Sequence, residues 1–257
     1  MGLSMAGKPK ILVVDDETVI TDAARKILGA EGFAVLTAPD AETAMLLLPS
    51  ESPEIAFLDL MLPGISGMEL LERIQNDYPR TVVVMMTGYS TLDNAISFLK
   101  NGAFDYLPKP FEFQELLSIA QRASRFSALR PAAGPPPHVG EIPPRYLLGM
   151  NSWARRVEDG TVLLGITGLF GQVLERIESI ELPALNEEVR QGSLLARLET
   201  EDQLRHAVWS PLSGRVAELN PAVQRDCDSA RRDPLGAGWL VRIVPDNFEV
   251  ELTNLSA

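Results

Sequence analysis

Residues 11–17 read ILVVDDE, four apolar residues without a break and then three acids. A strand that is apolar at every position is covered on both faces, the pattern of a parallel sheet rather than of a half-exposed hairpin. Four more such runs follow, AVLTA (34–38), IAFLDL (55–60), TVVVMMT (81–87) and YLPKP (106–110). Between the runs, residues 18–30, 41–48, 66–76, 91–101 and 112–126 repeat apolar side chains at helical spacing. Ser66 and Thr91 stand where helix caps belong, and Gly32 and Gly102 sit just past helix ends. Strands alternating with helices predict an α/β doubly wound (βα)5 fold. Right-handed crossovers then place any site at the carboxyl ends of the strands.

The acids fall at those ends. Asp15 and Asp16 follow the first run, Asp59 ends the third, Thr87 closes the fourth and Lys109 the fifth. Carboxylates gathered there repel one another and raise at least one pKa. A hard divalent cation such as Mg2+ relieves that repulsion through oxygen ligands. With its charge offset, an Asp carboxylate can attack a phosphoryl donor, while a hydroxyl and an ammonium hold the new phosphate oxygens.

The motifs ILVVDDE, FLDLMLPGISGMELL (57–71), VVVMMTGYS (82–90) and GAFDYLPKPF (102–111) resemble the receiver domain of bacterial response regulators, a flavodoxin-like fold. The resemblance covers residues 8–126. It implies Asp59 as phosphoacceptor, Asp16 as a direct Mg2+ ligand with Asp15 assisting, and the Met61 carbonyl completing the protein ligands. It also implies that Thr87 and Lys109 contact the phosphate, that Tyr106 is the switch aromatic coupled to Thr87, and that Lys109–Pro110 is cis. A sensor histidine kinase is the implied phosphate source. GLSMAGKP (2–9) nearly spells a nucleotide loop, but Pro9 replaces the metal-binding Ser or Thr, and the stretch precedes a strand instead of following one. A kinase or ATPase is therefore not expected.

Composition bounds the remaining classes. The chain has 257 residues, 46% of them apolar, which fits two folded domains. Counting along the sequence, residues 1–127 hold 17 acidic and 10 basic side chains, for −7, and residues 128–257 hold 18 and 13, for −5. Neither half has the basic excess that binding to a phosphate backbone needs, so DNA binding is not expected. No apolar run is long enough to cross a membrane and no signal peptide opens the chain, so a cytoplasmic protein without a membrane partner is expected. Cys227 is the single cysteine, which leaves no disulfide framework.

Residues 128–145, ALRPAAGPPPHVGEIPPR, contain six prolines and two glycines and suit neither a helix nor a central strand. They read as a linker, with domains at 1–127 and 148–257 and the linker at 128–147. Beyond it TVLLGIT (161–167), IESIEL (177–182), SLLARLE (193–199), AVWSPLSGRVAELN (207–220) and WLVRIVP (239–245) are short strands punctuated by Gly, Pro and Asn. Residues 168–177 suit one helix. This half reads as mostly antiparallel β.

Stretches 151–167, 177–200, 209–223 (WSPLSGRVAELNPAV) and 233–243 (DPLGAGWLVRI) resemble the glycine cleavage system H protein. The resemblance implies a lipoyl-type barrel-sandwich fold in which a hairpin lysine carries lipoic acid. Here the last lysine is Lys109. Counting forward from Glu199 puts Asp202 at the lysine's place, and counting back from Ser210 puts Gln203 there; neither can form the lipoyl amide. The chain has 18 Arg and 5 Lys, yet an arginine at the tip would not be lipoylated either. No lipoate is expected.

Other residues carry less. His206 has no nucleophile beside it and reads as a solvated or strand-surface histidine. Trp153, Trp209 and Trp239 suit a small barrel's core, Cys227 reads as an ordinary thiol, and Arg231 with Arg232 is too small a basic patch for DNA. The sequence thus predicts a signalling protein, not an enzyme beyond self-dephosphorylation. Phosphorylation at Asp59 is expected to free, dock or homodimerise a non-lipoylated H-like output domain that binds another protein, such as a glycine-cleavage or lipoate enzyme. The rival expectation is a constitutive H-like scaffold with the receiver uncoupled.

Overall fold

The structure is a computed structural model that describes residues 9–88, 92–130 and 146–256. The expected Thr91 cap, the core of the proline-rich stretch and the GLSMAGKP motif up to Lys8 lie outside the described residues. The chain forms two compact units, Met1–Tyr89 with Tyr106–Leu129, and Ser90–Asp105 with Arg130–Ala257.

In the first half the strands are β1 (Lys10–Val14), β2 (Ala34–Ala38), β3 (Ile55–Asp59), β4 (Val82–Thr87) and β5 (Asp105–Pro108). They form one sheet in the order β2-β1-β3-β4-β5, and the β1–β2, β1–β3 and β3–β4 pairs are parallel. The apolar runs of β1, β3 and β4 are buried, as expected of strands covered on both faces. Helices α1 (Thr18–Ala30), α2 (Ala41–Glu51), α3 (Gly67–Asp77), α4 (Leu92–Lys100) and α5 (Phe113–Leu129) alternate with the strands. α1 turns Thr21, Ala24 and Leu28 inward at helical spacing and packs against α5. Ser66 caps α3 by accepting the Glu69 N–H, as its place in the sequence predicts. α2 runs three residues past the expected end at Leu48, because Pro49 falls in the last turn, where its missing N–H removes a single bond. Gly32 and Gly102 both take positive φ past their helix ends.

The second half is antiparallel. Strands β6 (Tyr146–Leu148), β7 (Ser152–Arg156), β8 (Val162–Ile166), β9 (Ile177–Glu181), β10 (Glu188–Val189), β11 (Leu194–Thr200), β12 (Arg205–Trp209), β13 (Gly214–Leu219) and β14 (Val241–Pro245) build two sheets. One runs β10-β13-β14-β8-β7-β6 and the other β12-β11-β9. Their inner faces close on a core of Val162, Leu164, Ile166, Leu198, Val208, Val216 and Ile243. The helix expected over 168–177 is one short turn, α6 (Gly168–Gln172), capped by Thr167. Residues from Ile177 on belong to β9, because Ile177 faces the core. The short helices α7 (Pro221–Arg225), α8 (Ser229–Arg232) and α9 (Phe248–Glu251) and a 3-10 turn at Leu252–Asn254 complete the unit. Trp153 is fully buried, and its ring lies over Gly165 so closely that a Cβ there would stand 2.6 Å from it. Trp209 is also buried, whereas Trp239 is half-buried.

His206 departs from its expected solvated place: it is fully buried, with Nε2 3.1 Å from the Thr200 hydroxyl. Alternation along β12 explains this, since His206 and Val208 point to the same inner face while Arg205 points out.

Candidate functional site

Strand register builds the first site. Val14 pairs with Leu58, so the next residues, Asp15 and Asp59, emerge side by side. Asp59 pairs with Met86, so Thr87 emerges one step beyond it. Asp15, Asp16 and Asp59 each offer an oxygen within 4.8 Å of the others. Asp15 and Asp59 are buried while Asp16 is exposed. Lys109 follows β5 directly; its Nζ lies 2.7 Å from Asp15 Oδ2 and 3.4 Å from Asp59 Oδ1. Its backbone N–H donates to the Thr87 carbonyl at 2.7 Å, which ties the ends of β4 and β5 together. The Lys109–Pro110 bond is cis, as the family resemblance implies. Thr87 is fully buried and Tyr106 nearly so, while the Met61 side chain, two residues past Asp59, is mostly exposed.

Electrostatics at this edge are strained in one direction. Burial pushes the Asp15 carboxyl above its ordinary pKa, even though Lys109 and the Glu17 N–H favour the charged form. For Lys109, burial opposes the charge, but Asp15 and Asp59 outweigh it and hold the ammonium above its usual range. Asp15 and Asp59 therefore share one ammonium, and Asp16 adds a third carboxylate beside them at the solvent side. The oxygen-only donor set fits a hard divalent cation.

Two residues at this edge escaped sequence reasoning. Glu17 reaches Lys109 Nζ at 3.4 Å. Gly67 starts α3 against the end of β3: a Cβ there would lie 1.9 Å from the Asp59 carbonyl oxygen. The second glycine of GISG was the available signal.

The second place of interest is the tip of the β11–β12 hairpin. Glu199 pairs with Arg205, Thr200 N–H donates to Leu204 O at 3.1 Å, and Gln203 N–H donates to Thr200 O at 2.7 Å. Gln203 has φ +62°. This is a three-residue loop, a tight turn followed by a left-handed residue. Glu201, Asp202 and Gln203 are all exposed. The two counts to the lysine position differ by one because this hairpin is one residue longer than the H-protein pattern, and both Asp202 and Gln203 lie in its loop.

Comparison with known proteins names both halves. Residues 11–121 match the response regulator receiver domain, and residues 145–257 match the glycine cleavage H-protein. The chain is thus a receiver domain followed by an H-protein domain. Among its relatives, the nitrogen assimilation regulatory protein NtrX of Azorhizobium caulinodans is 38% identical over 122 residues, 47% of this chain and 27% of that protein. The DNA-binding transcriptional regulator NtrC of Escherichia coli is 35% identical over 113 residues, 44% of this chain and 24% of that one. The chain therefore spans about a quarter of these two relatives. Response regulator MprA of Mycolicibacterium vanbaalenii is 27% identical over 247 residues, 92% of this chain and 98% of that protein. The solved receiver domain of NtrX from Brucella abortus is 39% identical, with a TM-score of 0.43, over 44% of this chain and 96% of that chain. Among the described residues, no helix is long and apolar enough to cross a membrane.

Proposed function

We propose that this chain is a two-component response regulator in which phosphorylation of Asp59 controls a non-lipoylated H-like output domain. The supporting observation is the convergence of Asp15, Asp16, Asp59 and Lys109 at one sheet edge. Asp15, Asp16, Asp59 and the Met61 carbonyl would hold Mg2+, whose charge offsets the carboxylates and the incoming phosphoryl oxygens. The donor is the phosphohistidine of a sensor kinase. An Asp59 carboxylate oxygen attacks phosphorus, a P–O bond forms, and the P–N bond breaks with its electron pair going to the imidazole, which takes up a proton. Lys109 and Thr87 hold the phosphoryl oxygens. The phosphate adds roughly −1.5 to −2 charge, and Thr87 with Tyr106 shifts in response.

The second domain is proposed to work by binding protein. Its hairpin keeps a lipoyl carrier's outline with Glu201 and Asp202 at the tip, and no lysine follows Lys109. A glycine-cleavage or lipoate enzyme is the proposed class of partner.

Incubating the full chain with acetyl phosphate and Mg2+ and reading the intact mass tests the first half of this reading. The expected result is one added phosphoryl group, absent in Asp59→Asn and after chelation. A phosphoryl group retained by Asp59→Asn overturns the assignment.

A further inference from the structure

The unit that holds the antiparallel sheets also holds Ser90–Asp105, so α4 and the first residue of β5 are packed with the H-like fold. Within that unit α4 lies on β6 and on the 3-10 turn. Leu99 sits on the turn after β6, where a Cβ on Gly149 would stand 3.3 Å from the Leu99 Cβ. Lys100 Nζ donates to the Thr253 carbonyl at 3.0 Å. The Trp209 indole N–H donates to Asp105 Oδ1 at 2.7 Å, with Asp105 fully buried and Trp209 nearly so. A buried carboxylate with a specific donor is a bond that is expensive to break and to leave broken.

Both ends of this bond lead somewhere. Asp105 precedes Tyr106, the residue whose movement follows the phosphate in the function proposed above. Trp209 ends β12, the outer strand of the β12-β11-β9 sheet. The Trp209 backbone is stitched to β7 and the turn before it: its N–H donates to Asn151 Oδ1 at 2.8 Å, and its carbonyl accepts from the Ser152 hydroxyl at 2.6 Å. At the other end of β12, six to eight residues back, lies the tip, Glu201–Gln203. An outer strand has one ladder neighbour, so such side contacts set how firmly it is held.

We propose that Asp105 and Trp209 form a latch that transmits the state of the phosphorylation pocket to the β11–β12 hairpin. The latch rests on the proposed phosphorylation of Asp59. When Tyr106 moves, its neighbour Asp105 is drawn from the indole, β12 loses that anchor, and the tip becomes free to seat on a partner.

Hydrogen exchange on the full chain with Mg2+, with and without beryllofluoride as phosphoryl mimic, tests this. In the wild type, residues 55–61 should become more protected and residues 194–209 should exchange faster, by on the order of fivefold. In Trp209→Phe the response at 55–61 should persist, while 194–209 should exchange fast whether or not the mimic is present. Asp105→Ala removes the acceptor from the other side and should behave alike. A wild type whose pocket responds while 194–209 does not overturns the latch alone. So does a Trp209→Phe variant that responds as the wild type does. No response at 55–61 overturns the phosphorylation reading, and the latch with it.

Discussion

The two acid-bearing places in this protein are built in opposite ways. At the sheet edge Asp15, Asp16 and Asp59 converge within 4.8 Å of one another, two of them buried, against their own repulsion. At the hairpin tip Glu201 and Asp202 are adjacent in sequence, exposed and solvated. Repulsion persists in a folded chain only where surrounding structure enforces it, so the first arrangement has the make-up of a cation site and the second does not. Only the pocket forces its acids together.

The sharpest way to break that contrast is Gly67→Ala. A methyl 1.9 Å from the Asp59 carbonyl must push α3 or the end of β3 away. Chemical denaturation should show a loss of about 3 kcal/mol or more, and acetyl phosphate labelling should fail. Lys109→Ala removes the ammonium that Asp15 and Asp59 share, and should cost about 1–3 kcal/mol without divalent ion and distinctly less with Mg2+. Thermal melts with and without the ion check this. Both substitutions act through the pocket alone.

A third test uses pH. Because burial raises the Asp15 pKa above 3.8, a proton competes with the cation from a higher pH than it would for an ordinary aspartate. Titration calorimetry should show Mg2+ affinity falling as the pH drops from neutral through that raised range. In Asp15→Asn that part of the pH dependence should vanish. At the tip the effects should be small. Glu201→Ala should leave stability within about 0.5 kcal/mol, as for other exposed positions. Gln203→Gly should raise stability by about 0.5–1 kcal/mol, because φ +62° suits glycine. Urea denaturation resolves both, and a large loss from either would show that the tip is packed rather than solvated.

The pocket was legible because its signals are local. Four of the five apolar runs end at a residue of the cluster, Asp15, Asp59, Thr87 or Lys109, and parallel register does the rest. Ser66 and the two helix-ending glycines were legible for the same reason. His206 was not: its inward face depends on the register of β12 against β11, which pairs it with the buried Leu198. Nor was the place of α4 legible, since Leu92–Lys100 reads as one more helix of the (βα)5 series, while its neighbours β6 and Leu252–Asn254 come much later in the chain. The Glu17–Lys109 approach joins residues 92 positions apart and left no pattern at either end. α7, capped by Asn220, and α8 are single turns held by core contacts at Val223 and Ala230, too short to show periodicity.

The make-up of the second unit bears on how the protein can be divided. Ser90–Asp105 precedes α5 in the chain, so the unit is discontinuous, and a single cut in the proline-rich stretch cannot release it whole. A fragment beginning at Tyr146 would keep the hairpin but lack Asp105 beside the Trp209 indole and Leu99 beside the Gly149 turn. Binding measured with such an excised piece would sample a face that Asp105 and Leu99 cover in the full chain. A shortened chain that joins Ser90–Asp105 to the barrel strands would keep both contacts.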